Sequence, residues 1–406
     1  MKDLHIAGGV DEGYGKVADA FRRNFRERGE IGAACAVYRD GRKVVDLWGG
    51  YRDARERALW EEDTLSFWAS STKGMAAVAV LVAESQGLFD LDEPVATYWP
   101  EFAQNGKENI TVRHLLNHQS GLAALDRRID FATVADTDAL AAVLAAQRPW
   151  WEPGKYHGYH NVTFGWCESM LIKKVDPRNR TIGRFFVGEV ADPLDIEFYI
   201  GLPDTVPYQR IATGHMQALR MALNMHKMGG RMLLNMLNPH SLLGRSIRDL
   251  PIPKSGNVAD SRVRDYLRIE VPAGNGIGQV RAVARVYGSL ATGGRELGIR
   301  PATLRTLEEA PVAPSGGFRD VVVHFEEARS LGFIKPMPGQ WFGTAAGCAF
   351  GHHGGGGSGG FADPDAGIGF AYAPNHMMPW HLKFRGDPRK DALIDALYEI
   401  LGELLR

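Results

Sequence analysis

The chain has 406 residues, 45% of them hydrophobic and 23% charged, with 47 Lys+Arg against 48 Asp+Glu. That length buries one large or two medium cores, and the hydrophobic share excludes a disordered chain. A formal net charge of -1 gives no global reason to seek nucleic acid or an anionic membrane. In chain order, residues 14–28 alternate apolar and charged positions at helical spacing and stop at Gly29, a surface helix. Two apolar runs, 31–39 and 42–50, flank Asp40-Gly41 and predict a hairpin. Residues 70–86 are helical in propensity and apolar nearly all round, so this helix is buried. Residues 110–120 read as another helix with a Thr111 cap. A mainly helical middle runs to about Gly293, with irregular spans near Trp151 and Pro251. The last third changes period: 331–336, 348–352 and 367–375 are short strands, and 389–406 is an amphipathic helix.

The order is helix and strands, a long helical stretch, then strands and a helix. This predicts an α/β plus α fold, an antiparallel sheet built from both ends of the chain and flanked by helices. The expected units are a discontinuous domain of 1–90 and 290–406 and an inserted, mainly helical domain of 91–289, with the active site between them. The 48 glycines exceed the roughly 7% background without a collagen-like period, so they mark loops and close backbone approaches. Cys35, Cys167 and Cys348 form no CxxC pair and are too few for a disulfide framework. The first residues carry no apolar run of the signal-peptide kind, and the longest apolar stretch, from Met75, is roughly half a bilayer span. The expectation is a cytoplasmic protein with no membrane partner.

Five groups could do chemistry. Ser70 and Lys73 share one face at the start of the buried helix, where a lysine needs a partner and loses its proton more easily. Alone, SxxK also describes a capping serine with a snorkelling lysine. Tyr159-His160-Asn161 lies in an aromatic, His- and Gly-rich loop. Tyr159 becomes a base if a cation, here Lys73, lowers its pKa from about 10. Read alone, the segment is equally an aromatic packing cluster. The run Gly351 to Gly360 lies between strand patterns and can bring backbone N–H groups to an oxyanion, or be only a hairpin loop. Within it, Ser358 matches GxSxG, but a turn and a strand follow where that motif needs a helix. His157, His160, His352 and His353 lack supporting ligands at useful spacing, so no metal is expected.

Together, SSTK, then YHN, then HHG near the C-terminus resemble the three motifs of the serine β-lactamase-like superfamily. The match is nearest to the class C β-lactamase-like esterases called family VIII carboxylesterases. It extends to LLNHQSGL, WEPG…YHNVTFGW, DPLDIEFYIGLP and FGHHGGGGSGGFADPDAGIGFAY, from about Arg22 to the last helix. The resemblance implies a β-lactamase/transpeptidase-like fold and Ser70 as the nucleophile of an acyl-enzyme. Lys73 would hold and deprotonate it, and Tyr159 would relay the proton. The backbone N–H groups of Ser70 and Gly355 would form the oxyanion hole. Asn161, His352 and Gly354 would bind substrate, Asn161 at its acyl side or by a hydrogen bond to Lys73 instead, with His352 preferred to His353 as the head of the third motif. Penicillin-recognising members place a lysine there. A mostly neutral histidine shifts the expectation to neutral acyl esters.

The implied activity is a carboxylesterase without a cofactor, acting on a small-molecule ester. An acyltransferase, an amidase, D-aminopeptidase or weak β-lactamase, and a catalytically silent binding protein on the same fold remain open alternatives. Specificity should come from residues 177–275 and from Trp150, Trp151 and Tyr156. Oligomeric state is not readable.

Overall fold

The protein is represented by a computed structural model, which describes residues 4–216, 230–248, 253, 256–337, 342–344, 347–378 and 386–404. Its elements relevant to the site are β1 (Ile6–Val10), α1 (Gly15–Glu27), β2 (Gly32–Arg39), β3 (Arg42–Asp53) and α2 (Thr72–Ser85). Next come α3 (Thr163–Val175), α4 (Gly230–Leu237), α5 (Leu242–Arg248) and α6 (Val280–Ala291). The chain closes with β4 (Ala328–Ser330), β5 (Phe333–Lys335), β6 (Phe350–His353), β7 (Gly359–Asp363), β8 (Ile368–Pro374) and α7 (Pro388–Leu404).

The strands form one sheet in the order β1-β3-β2-β8-β7-β6-β5-β4, with the short strand Ala58–Leu59 paired off β3. Neighbours along this order are antiparallel. The expected sheet, built from both ends of the chain, is therefore the one observed: β2 lies against β8, with Ala36 opposite Ala371. The hairpin at Asp40-Gly41 also forms, and both residues take the positive φ that a tight two-residue turn requires, 49° and 76°.

Side chains alternate across β2. Ala33, Cys35 and Val37 face one apolar cluster with Phe21 of α1 and Leu397 of α7. Ala34 and Ala36 face the other cluster, with α2 and α6. Small residues let α6 come close: a Cβ at Gly369 would meet the backbone of Gly288 at 2.1 Å. A cut at 289–290 would pass through α6, which packs on β8, β2 and β7; we place this helix with the sheet. α2 is buried along nearly its whole length, as its all-apolar sequence requires. It packs on α3 and reaches β6 and β5.

Two expectations need correction, and one strand went unpredicted. The helix over 110–120 is only Val112–Leu116, capped by Thr111 through a hydrogen bond from His114 N at 3.1 Å; His118 has a φ of 56°, which the helix cannot continue through. The glycine run is not all loop, because Gly359 and Gly360 open β7. β1 escaped the sequence reading: IAGGV has little strand propensity but pairs along β3 at the sheet edge. The irregular span expected at Pro251 lies outside the described residues. Among those residues, no helix is long and apolar enough to cross a membrane.

Candidate active site

Ser70 lies in a single 3-10 turn, Ala69–Ser71, just ahead of α2. Ala69 has a φ of 45°, a strained conformation for a residue with a side chain. Hydrogen bonds from three residues hold the turn. Ser71 N donates to Trp68 O at 3.0 Å, Thr72 Oγ1 to Ala69 O at 2.6 Å and Ser358 Oγ to Trp68 O at 2.8 Å. Ser70 therefore does not cap the helix. It is presented at the edge of a cavity.

One helical turn on, Lys73 is fully buried on the same face. Its Nζ lies 3.4 Å from Ser70 Oγ, 3.0 Å from Tyr159 Oη, 2.7 Å from Asn161 O and 2.8 Å from Ala273 O. Tyr159 Oη is 2.8 Å from Ser70 Oγ. Burial, helped by the charge of Arg329, pushes Lys73 well below the ordinary lysine range. An uncharged amine spends its two N–H groups on the Asn161 and Ala273 carbonyls. Its lone pair then faces Tyr159 Oη, which makes a proton acceptor. This reverses the expected relation between the two groups. The direction of the Lys73 shift favours a proton acceptor over a cation at this position. Burial raises the Tyr159 hydroxyl above its usual value, opposed by the hydrogen bond with Ser70 and by Arg329.

The N–H groups of Ser70 and Gly355 make no hydrogen bond among the described residues, and both residues line the cavity. Gly354 does not line it. A Cβ there would lie 2.5 Å from Trp68 O and 3.0 Å from Ser71 N, so this glycine lets the β6–β7 loop close onto the serine turn. The observed role of this glycine is close packing of backbone on backbone. Ser358 is buried, and its Oγ also meets Ser71 Oγ at 3.1 Å; its hydroxyl is occupied in holding the turn.

His352 and His353 are adjacent on β6, with ring centroids 5.7 Å apart. His352 is 1% exposed, with Nδ1 at 2.8 Å from His353 O. His353 lines the cavity. His352 is not among the residues that line it. Burial above all holds His352 far below its usual pKa. Burial, then Lys390, does the same for His353. Asn161 reaches Lys73 through its backbone oxygen, while its side chain lines the cavity and donates to Ser246 O at 3.2 Å. His157 binds Phe318 O at 2.8 Å, and His160 Nε2 accepts from Leu122 N at 2.9 Å; both are structural.

The cavity has a volume of about 390 Å3. Its apolar wall includes Met232 and Met236 of α4, Leu243 and Ile247 of α5, and Val323 and Phe325. α4 and α5 fall in the stretch expected to set specificity. Trp150, Trp151 and Tyr156 do not line the cavity: Trp151 packs with Tyr159 from outside it, and Trp150 Nε1 donates to Ala124 O at 2.8 Å. Two charged residues in the wall escaped the sequence reading, Glu327 and Arg329, which form a buried ion pair. A signal existed. Two opposite charges two apart, just before the apolar strand LGFI, share one strand face and point inward.

The sequence model of the Beta-lactamase family matches residues 19–393. The chain is 32% identical over 383 residues to Esterase/beta-lactamase LipL of Mycobacterium tuberculosis, covering 92% of this chain and 83% of that protein. Among solved structures, a family VIII carboxylesterase superposes with a TM-score of 0.84 at 36% identity, covering 98% of this chain and all 100% of the other. A penicillin-binding protein homologue from Caulobacter crescentus superposes with a TM-score of 0.82 at 33% identity, with coverage of 98% and 100%. The match over 19–393, on a fold shared with these structures, makes this chain a member of the beta-lactamase family.

Proposed function

We propose that this serine hydrolase cleaves small, neutral acyl esters through an acyl-enzyme on Ser70. The observation that carries the reading is the contact between Ser70, Tyr159 and the buried Lys73 at the mouth of a mostly apolar cavity. Ser70 Oγ loses its proton to Tyr159 Oη, with Lys73 taking up charge behind it, and attacks the ester carbonyl. The resulting oxyanion lies against the N–H groups of Ser70 and Gly355, where one such donor is typically worth about 3 kcal/mol of barrier. The relay then protonates the leaving alkoxide, and the alcohol departs. Water, deprotonated by the same relay, attacks the acyl-enzyme and frees Ser70.

The preference for neutral esters follows from the wall. Both histidines of β6 are uncharged, and the guanidinium of Arg329 already has a carboxylate partner in Glu327. A substrate carboxylate would compete with that pair. Hydrolysis of p-nitrophenyl acetate and butyrate tests the assignment: turnover should fall to background in Ser70→Ala. Full turnover in that variant would sink it.

A further inference from the structure

Arg329 of β4 is no part of the three motifs, yet it reaches their centre. Its guanidinium carbon is 5.2 Å from the centroid of the Tyr159 ring. The side chain is buried, and Nε and Nη1 have no hydrogen-bond partner among the described residues. A buried guanidinium with two unspent donors is costly, and well-packed apolar residues would cost less. Such a cost inside a cleft is the kind retained for function.

Many ionisable groups crowd Tyr159. Lys73 comes from α2, with Nζ 4.8 Å from the ring centroid. His118 stacks on the ring at 5.7 Å, and His160 follows in the chain. His352 and His353 approach from β6, and Asp320 and Glu327 from the segment before β4. Glu168 faces Lys73 from α3. Burial is the leading influence on the four histidines, on Lys73 and on Glu168, and it drives each toward its uncharged form. Burial lowers Arg329 too, but a guanidinium starts so high that it keeps its charge. Arg329 is thus a permanent positive charge against the Tyr159 ring, opposed by Asp320 and Glu327.

We infer that Arg329 is a positioning residue for the proton relay. Its fixed charge, partly offset by Glu327, favours the anionic form of Tyr159 and the uncharged form of Lys73, so that Ser70 can give up its proton. The inference rests on the relay of Ser70, Lys73 and Tyr159. It adds that the pH at which this relay becomes competent is set by an ion pair that does not touch the reacting atoms.

The test is the pH dependence of kcat and kcat/KM for p-nitrophenyl butyrate, from about pH 5 to about pH 10, in wild type and three variants. In Arg329→Gln the midpoint of the rising limb should move up by about one pH unit or more. In Arg329→Lys, which keeps the charge, it should move less. In Glu327→Gln, which leaves the guanidinium less neutralised, it should move down. The loss in Arg329→Gln should fall on kcat rather than KM. A merely structural role would lower melting temperature and active fraction without moving the limb. An unmoved limb in folded Arg329→Gln, or an upward move in Glu327→Gln, overturns the inference. Should Arg329→Gln not fold, Glu327→Gln decides alone: a downward move supports it, and no move or an upward one overturns it. Turnover surviving in Ser70→Ala would instead show the relay itself to be wrong.

Discussion

The position of Lys73 decides most of the chemistry at the residue scale. An amine with no exposure, between two backbone carbonyls and beside a permanent guanidinium, is driven to its uncharged form. The pH sign follows. Protonated Lys73 cannot accept from Tyr159, so activity should climb from mildly acidic to alkaline pH; a flat profile from about pH 5 to about pH 9 would contradict this. Tyr159→Phe and Lys73→Ala should each cost roughly 10²–10⁴-fold in kcat, read with p-nitrophenyl butyrate. A Tyr159→Phe enzyme within about twofold of wild type would remove the tyrosine from the relay. Ser358→Ala, neutral if Ser358 were only loop, should destabilise the protein by about 1–2 kcal/mol and lower kcat, because two hydrogen bonds that hold the strained serine turn are lost. Ser70, Lys73 and Tyr159 were legible in the sequence because their motifs are local and ordered along the chain. Arg329 was not, because what matters about it is what its side chain meets in the fold; His353 stood there only as the alternative to His352, since local sequence does not tell which of two neighbours reaches a cavity.

At the scale of elements, the serine turn and the β6–β7 loop are fitted to each other through a missing side chain. Gly354→Ala would drive a methyl group into Trp68 O and Ser71 N. A displacement of about 1 Å at a reacting group can cost 10²-fold, so kcat should fall by about that factor while KM changes little; an unaffected kcat would show that the turn can move freely. α4 and α5 form the apolar wall. Leu243→Trp should therefore reduce kcat/KM for butyrate far more than for acetate, and an equal loss on both esters would place the acyl chain elsewhere. The hairpin at Asp40-Gly41 was readable because its turn chemistry is local. β1 and β7 were not, because their glycines carry no strand preference and only the neighbouring strand makes them strands.

Over the whole molecule, the two ends of the chain are locked together beneath the site. Arg389 of α7 is fully buried and binds Asp387 at 2.6 Å, Glu30 at 2.9 Å and His376 O at 2.8 Å. Tyr372 of β8 donates to the same Glu30, and Asn24 of α1 donates to Arg389 O at 3.0 Å. Arg389→Met would leave two carboxylates buried without their cation. It should lower stability by about 3–5 kcal/mol in urea melts, and a loss below about 1 kcal/mol would show the network to be dispensable. The change of hydrophobic period along the chain was enough to show that its ends share a sheet. This ionic core was not visible there, since its members are far apart in sequence and ordinary in composition. The glycine excess, at first only a mark of loops, now has a definite use at Gly354 and Gly369, where backbone must touch backbone. The central claim is a covalent acyl group on Ser70. Intact-protein mass spectrometry after brief exposure to a p-nitrophenyl ester or a fluorophosphonate probe tests it most directly. One adduct per chain, mapping to the peptide that carries Ser70 and absent from Ser70→Ala, is the predicted result. A folded wild-type chain that hydrolyses the ester but carries no adduct from the probe, or an adduct that persists in Ser70→Ala, would contradict it.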